Sequence, residues 1–144
     1  MSTPQSMTIQ ETTSVLVESP GEASDIARRA VVAVGLVGIA LVHILDLQSK
    51  MEEVPYLGFA YIGLIVASLV LAELTVRRGG RWVYAASAGL AAAVIAGYAI
   101  NRTVGMPGAM DDIGNWWEPL GLASLVVEAT VVWFAVTGWL RKTF

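Results

Sequence analysis

AVVAVGLVGIALVHILD, residues 30–46, decides the fold class. Every residue up to Val42 is apolar or glycine, and only then do His43 and Asp46 appear. A helix that crosses the hydrocarbon of a bilayer takes about 20 mostly apolar residues. With Leu47 and the aliphatic stems of Arg28 and Arg29 added, this run is long enough. A helix on a water-facing surface would carry a polar stripe every three to four residues, and none is present. The stretch predicts a membrane span with polar groups near one mouth.

Three more apolar runs follow, so the expected fold is all-α: a polytopic membrane protein built as an antiparallel four-helix transmembrane bundle. The spans are expected at about residues 26–47, 55–76, 82–100 and 119–140. Ser24 and Asp25 suit the cap of the first. Pro55 and Pro119 open the second and fourth, where a missing N–H costs nothing. The connections QSKMEE and RRGGR are short, which makes successive spans antiparallel neighbours. Composition agrees: hydrophobic residues make up 56% and charged residues 15%, against roughly 25% charged in globular chains. A net charge of −3 gives nucleic acid no purchase. Without cysteine there are no disulfides, thiolate metal sites or dithiol redox chemistry.

Residues 1–24 lack a basic start and an apolar core, so no signal peptide is expected there. Ser, Thr, Glu and proline dominate, which predicts a disordered cytoplasmic tail. Positive residues set the expected orientation. Arg28, Arg29, Arg77, Arg78, Arg81, Arg141 and Lys142 fall on one side; Lys50 and Arg102 fall on the other. That bias places both termini in the cytoplasm (N-in/C-in) of a multi-pass cell-membrane protein. The His43–Asp46 end and the loop at residues 102–118 then face outward, with Trp116 and Trp117 in the headgroup zone.

Ionisable groups in hydrocarbon cost a few kcal/mol each and call for an explanation. His43 and Asp46, three apart on one helical face, suit a metal ion, a proton, a polar headgroup, or a structural tie to Tyr98, Asn101 or Arg102. Glu128 lies nine residues past Pro119, about 14 Å down its helix and near mid-bilayer. It needs a proton, a partner such as Ser68 or Ser87, or a wet cavity. Ser124 is one turn above it and Glu118 further up, a row running from the outer loop into the bundle. Glu73 pairs with Arg77 at i+4 and needs nothing more. Ala85, Gly89, Ala93 and Gly97 recur every fourth residue and predict a face for close helix packing, within the chain or with a second copy. His43 with Met51, Met106 and Met110 offers soft ligands for Cu(I), and the candidate metal set is His43, Asp46, Met106 and Met110. No nucleophile elbow, phosphate loop, HExxH or zinc spacing is present. One histidine cannot bis-ligate haem within a monomer.

The string NRTVGMPG…DDIGNWWEPLGLASLVVE resembles an uncharacterised group of small four-span membrane proteins from actinobacteria. Those are similar in having a histidine late in span 1, an Arg-Thr-x-Gly-x-Pro-Gly loop and a Trp-Glu-Pro-x-Gly start to span 4 with a glutamate further in. The matching residues are His43; Arg102, Thr103, Gly105, Pro107 and Gly108; then Trp117, Glu118, Pro119, Gly121 and Glu128. No activity is attached to that group, so the resemblance implies fold and location alone.

The expected function is a non-catalytic binding or accessory membrane protein. His43, Asp46, Asn101, Arg102, Glu118 and Glu128 form a polar pocket in the outer half, with Trp116 and Trp117 at its rim. A small ligand, a lipid headgroup or a partner subunit would sit there. Two alternatives stay open: copper or proton handling through His43, Asp46 and Glu128, and an accessory role at a membrane quinone or redox complex.

Overall fold

A computed structural model describes residues 20–142; the expected disorder at residues 1–19 lies outside them. Four α-helices carry the described residues: α1 (Pro20–Glu53), α2 (Pro55–Arg77), α3 (Arg81–Thr103) and α4 (Pro119–Arg141). A single 3-10 turn, Met110–Asp112, sits in the long α3–α4 loop, and no strand occurs among the described residues. All four helices are long and apolar enough to cross a membrane. Their outward faces are apolar too: Val34 is 72% exposed and Phe59 68%. Such faces belong against lipid, where only a helix that satisfies its own backbone is stable. Exposed Trp82 and Trp117 lie at opposite ends, as interfacial tryptophans do.

α1 departs from expectation at both ends. It begins at Pro20, so residues 20–24 are helical rather than part of a loose tail. Ser24 and Asp25 therefore lie inside the helix and do not cap it. The Ser24 hydroxyl donates to the Gly21 carbonyl, and Asp25 pairs with Arg28, Arg29 and Lys142. At the other end the helix continues through QSKMEE instead of stopping near Leu47. Gln48 bonds Glu52, while Ser49 and Lys50 bond Glu53, so this polar stretch supports its own helix. Pro55 stops it by pushing Val54 out of the helical region, to φ −143° and ψ 80°. The turn into α2 is that one residue. At 34 residues, α1 is about 51 Å long and overhangs its neighbours.

Around the bundle, α1 packs on α2 and on α4, and α3 packs on α4, whereas α2 and α3 barely touch. The α1–α4 contact is tight because Gly35 and Gly38 face Val131 and Val127. A Cβ at Gly35 would lie 2.5 Å from a Val131 methyl. Within lipid, such close approach replaces the missing hydrophobic drive between helices. The packed core is Val32, Leu36, Ile39, Ala72, Tyr84, Ala91, Val131 and Ala135. It fills the half of the bundle near the arginine-rich end. There Arg29 lies beneath the α2–α3 turn at Gly79, and the Arg81 guanidinium sits over the rings of Trp82 and Trp139.

Within the chain, the small-residue face of α3 is not covered at Gly89 and Gly97. A Cβ added at Gly89 or Gly97 meets nothing within 4 Å. Ala93 and Gly97 instead line an open space at the loop end of the α2–α3 seam. Four-residue spacing places small side chains on one face, but it does not supply the helix that would cover them.

Candidate functional site

The half of the bundle nearer the long loop is hollow. A cavity of about 450 Å³ lies among all four helices. α1 contributes Val42, His43, Asp46 and Lys50, and α2 contributes residues from Leu57 to Ala67. α3 lines it from Leu90 to Arg102, and α4 from Leu120 to Glu128. Its walls are mostly apolar. Ala60, Gly63 and Ala93 line it and are exposed, so it opens sideways along the seam.

Glu128 is fully buried in the cavity wall. The Ser124 hydroxyl, one turn up the same helix, donates to its Oε1 at 2.5 Å. Its Oε2 has no partner among the described residues. The expected partners serve otherwise: Ser87 bonds the Val83 carbonyl, and the Ser68 hydroxyl is buried without one.

His43 is also buried. Its Nδ1 lies 2.8 Å from the Ile39 carbonyl oxygen. A carbonyl can only accept, so Nδ1 carries the hydrogen, and in the neutral ring Nε2 keeps a lone pair. The ring stands edge-on to Tyr61 of α2, centroids 4.8 Å apart. The Tyr61 hydroxyl donates to Asp46 at 3.3 Å. The His43–Asp46 pair is thus tied to α2 through Tyr61, not to α3 through Tyr98, Asn101 or Arg102.

Over the cavity lies the α3–α4 loop, strapped down by charge. Arg102 is only 4% exposed. Its guanidinium bonds Asp112 Oδ1 at 2.7 Å and also bonds Glu118, with the face of Tyr98 at 5.0 Å. Asn101 donates to Asp112 Oδ2 at 2.9 Å, and Lys50 reaches the same oxygen at 3.5 Å. Tyr56 and Tyr98 donate to the carbonyls of Pro107 and Trp116. Gly105 makes the first bend at φ +82°, with Met110 and Ile113 packed where a side chain would stand.

Burial alone would raise the Asp112 pKa. The Asn101 hydrogen bond and the Lys50 and Arg102 charges outweigh it and hold the carboxyl below its ordinary range. A depressed carboxylate adds stability above its unfolded pKa and loses it as pH falls through the folded one. The melting temperature in detergent should therefore be flat from neutral pH to about pH 5 and fall below about pH 4. An Asp112→Asn variant should show a smaller acid-side fall, with the part due to Glu53, held low by Lys50 and Ser49, remaining.

Of the sequence-derived set, His43, Asp46, Asn101, Arg102, Glu118 and Glu128 all line one cavity. Trp116 and Trp117 do not; they sit on the loop at the rim, Trp116 edge-on to Tyr98 and Trp117 fully outward. Met106 lines the cavity and Met110 does not, so the candidate copper set is not gathered in one place. No three His, Asp or Glu side chains come together as a metal site among the described residues. Tyr61 and the Lys50–Asp112 pair were missed. A tyrosine in an apolar run costs nothing in lipid and gives no signal, and Lys50 counted only toward orientation. No family model, curated protein or solved structure matches this chain.

Proposed function

We propose that this chain is a non-catalytic integral protein of the cell membrane whose cavity binds a small amphiphilic molecule. One observation carries it: a carboxylate oxygen with no partner, fully buried, in the wall of a cavity wide enough for a ligand. Such an atom costs several kcal/mol at bilayer depth unless something meets it. The arginine-rich end supports cytoplasmic termini, which would put the cavity in the outer half beneath an extracytoplasmic loop. A proton or metal route across the bundle has less support, because Leu36, Ile39, Tyr84 and Val131 fill the half beyond the cavity. The resemblance to small actinobacterial four-span proteins fits this reading of the fold.

Mass spectrometry of the protein purified in mild detergent tests it. The wild type should carry a bound small molecule that a Gly97→Leu variant, filling the cavity, does not. Identical complements in the two preparations would sink the proposal.

A further inference from the structure

The chemistry of the cavity narrows its ligand, if the cavity is a binding site as proposed above. Four carboxylates line it: Asp46, Asp112, Glu118 and Glu128. Lys50 and Arg102 line it too, beside the His43 imidazole. Arg102 is already shared between Asp112 and Glu118, and Lys50 between Asp112 and Glu53. Asp46 has only the Tyr61 hydroxyl and Glu128 only the Ser124 hydroxyl, with no cationic nitrogen within 4 Å of either among the described residues.

The unfilled atoms point the same way. Glu128 Oε2 and Asn101 Oδ1 are buried acceptors without partners, and His43 Nε2 is a third acceptor. Arg102 Nε is an unfilled donor. It belongs to a guanidinium that two carboxylates already neutralise, so it offers an anion little. Asp46 has the Lys50 charge acting on it, so Glu128 is the acid a ligand has to answer. A cation with several N–H groups would answer it.

The route follows from the packing. The loop is strapped over one end by Arg102, Asp112 and Glu118, the core closes the other, and the α2–α3 seam is open along Ala60, Gly63 and Ala93. That seam faces hydrocarbon. We propose that the cavity takes a lipophilic amine, an ammonium group on an apolar body, which enters sideways from the bilayer and pairs with Glu128.

Decylamine, decanol and decanoic acid share one chain and differ only in the head. Each is titrated against the full chain in mild detergent, with retention read by native mass spectrometry. Decylamine should be retained at roughly ten-fold lower concentration than decanol, the margin expected of a charged hydrogen bond over a neutral one, and decanoic acid least of all. Glu128→Gln should erase the amine's advantage and leave decanol unchanged. Should that variant fail to fold, Glu128→Leu, which leaves no buried carboxyl to satisfy, should erase the advantage as well. Equal retention of amine and alcohol by the wild type would overturn the amine assignment while leaving a cavity for neutral lipids. Stronger retention of the acid, retention of none of the three, or an amine preference surviving in Glu128→Gln would overturn it as well. The Gly97→Leu comparison of co-purifying molecules judges the cavity separately.

Discussion

Replacing Arg102 with alanine is expected to destabilise the protein by about 2–3 kcal/mol and to free the α3–α4 loop. Arg102 is nearly buried, and among the described residues it alone joins Asp112 in the 3-10 turn to Glu118 at the head of α4. Its loss leaves two carboxylates facing each other across the site of a missing cation. Removing one partner of a buried pair costs about 3–5 kcal/mol. Asp112 and Glu118 keep 20% and 32% of their side-chain surface, so solvent screening brings the figure toward the lower end. Melting in detergent measures the stability, and limited proteolysis reads the loop. Cleavage within residues 104–118 should appear in Arg102→Ala under conditions that spare the wild type. Arg102→Lys should recover only part of the loss, because one ammonium cannot fork to two carboxylates as a guanidinium does. A melting temperature unchanged in Arg102→Ala would show that the strap does not hold the loop.

Much of this arrangement was legible in the chain because lipid makes polar side chains conspicuous. A glutamate 14 Å down a span, at about 1.5 Å per residue, advertises itself, as do a histidine and aspartate near a mouth. Those residues do line one cavity. Other features fell outside that logic. QSKMEE looked like a loop because it is polar, yet its i,i+3 and i,i+4 bonds carry α1 to Glu53. Tyr61 was invisible because an aromatic ring among aliphatics breaks no pattern. The Ala85–Gly97 stripe was legible as a face but not as an uncovered one. Periodicity reports which side chains share a direction along one helix. Which neighbour stands opposite is decided by packing around the whole ring, here by the tight α1–α4 contact that leaves α2 and α3 apart.

That asymmetry gives a prediction in which one substitution has opposite effects at two glycines. At Gly35 a new Cβ would stand 2.5 Å from Val131, which is itself fully buried. Val131 is packed into the core, so turning its methyl aside disturbs that packing, and the rest of a leucine pushes α1 and α4 apart. Overpacking of this kind costs about 1–3 kcal/mol, and Gly35→Leu should reach the upper end because the contact holds the core half together. At Gly97 the new Cβ meets nothing within 4 Å. Gly97→Leu should be neutral, or stabilising by up to about 1 kcal/mol, because glycine is a poor helix residue and leucine a good one. Unfolding of the two variants beside the wild type, followed by circular dichroism in one detergent, checks both. The melting temperature should fall clearly for Gly35→Leu and hold or rise for Gly97→Leu. If Gly97→Leu falls as far as Gly35→Leu, then α3 is pressed against a neighbour at that face, the seam is closed, and the cavity has no side entrance.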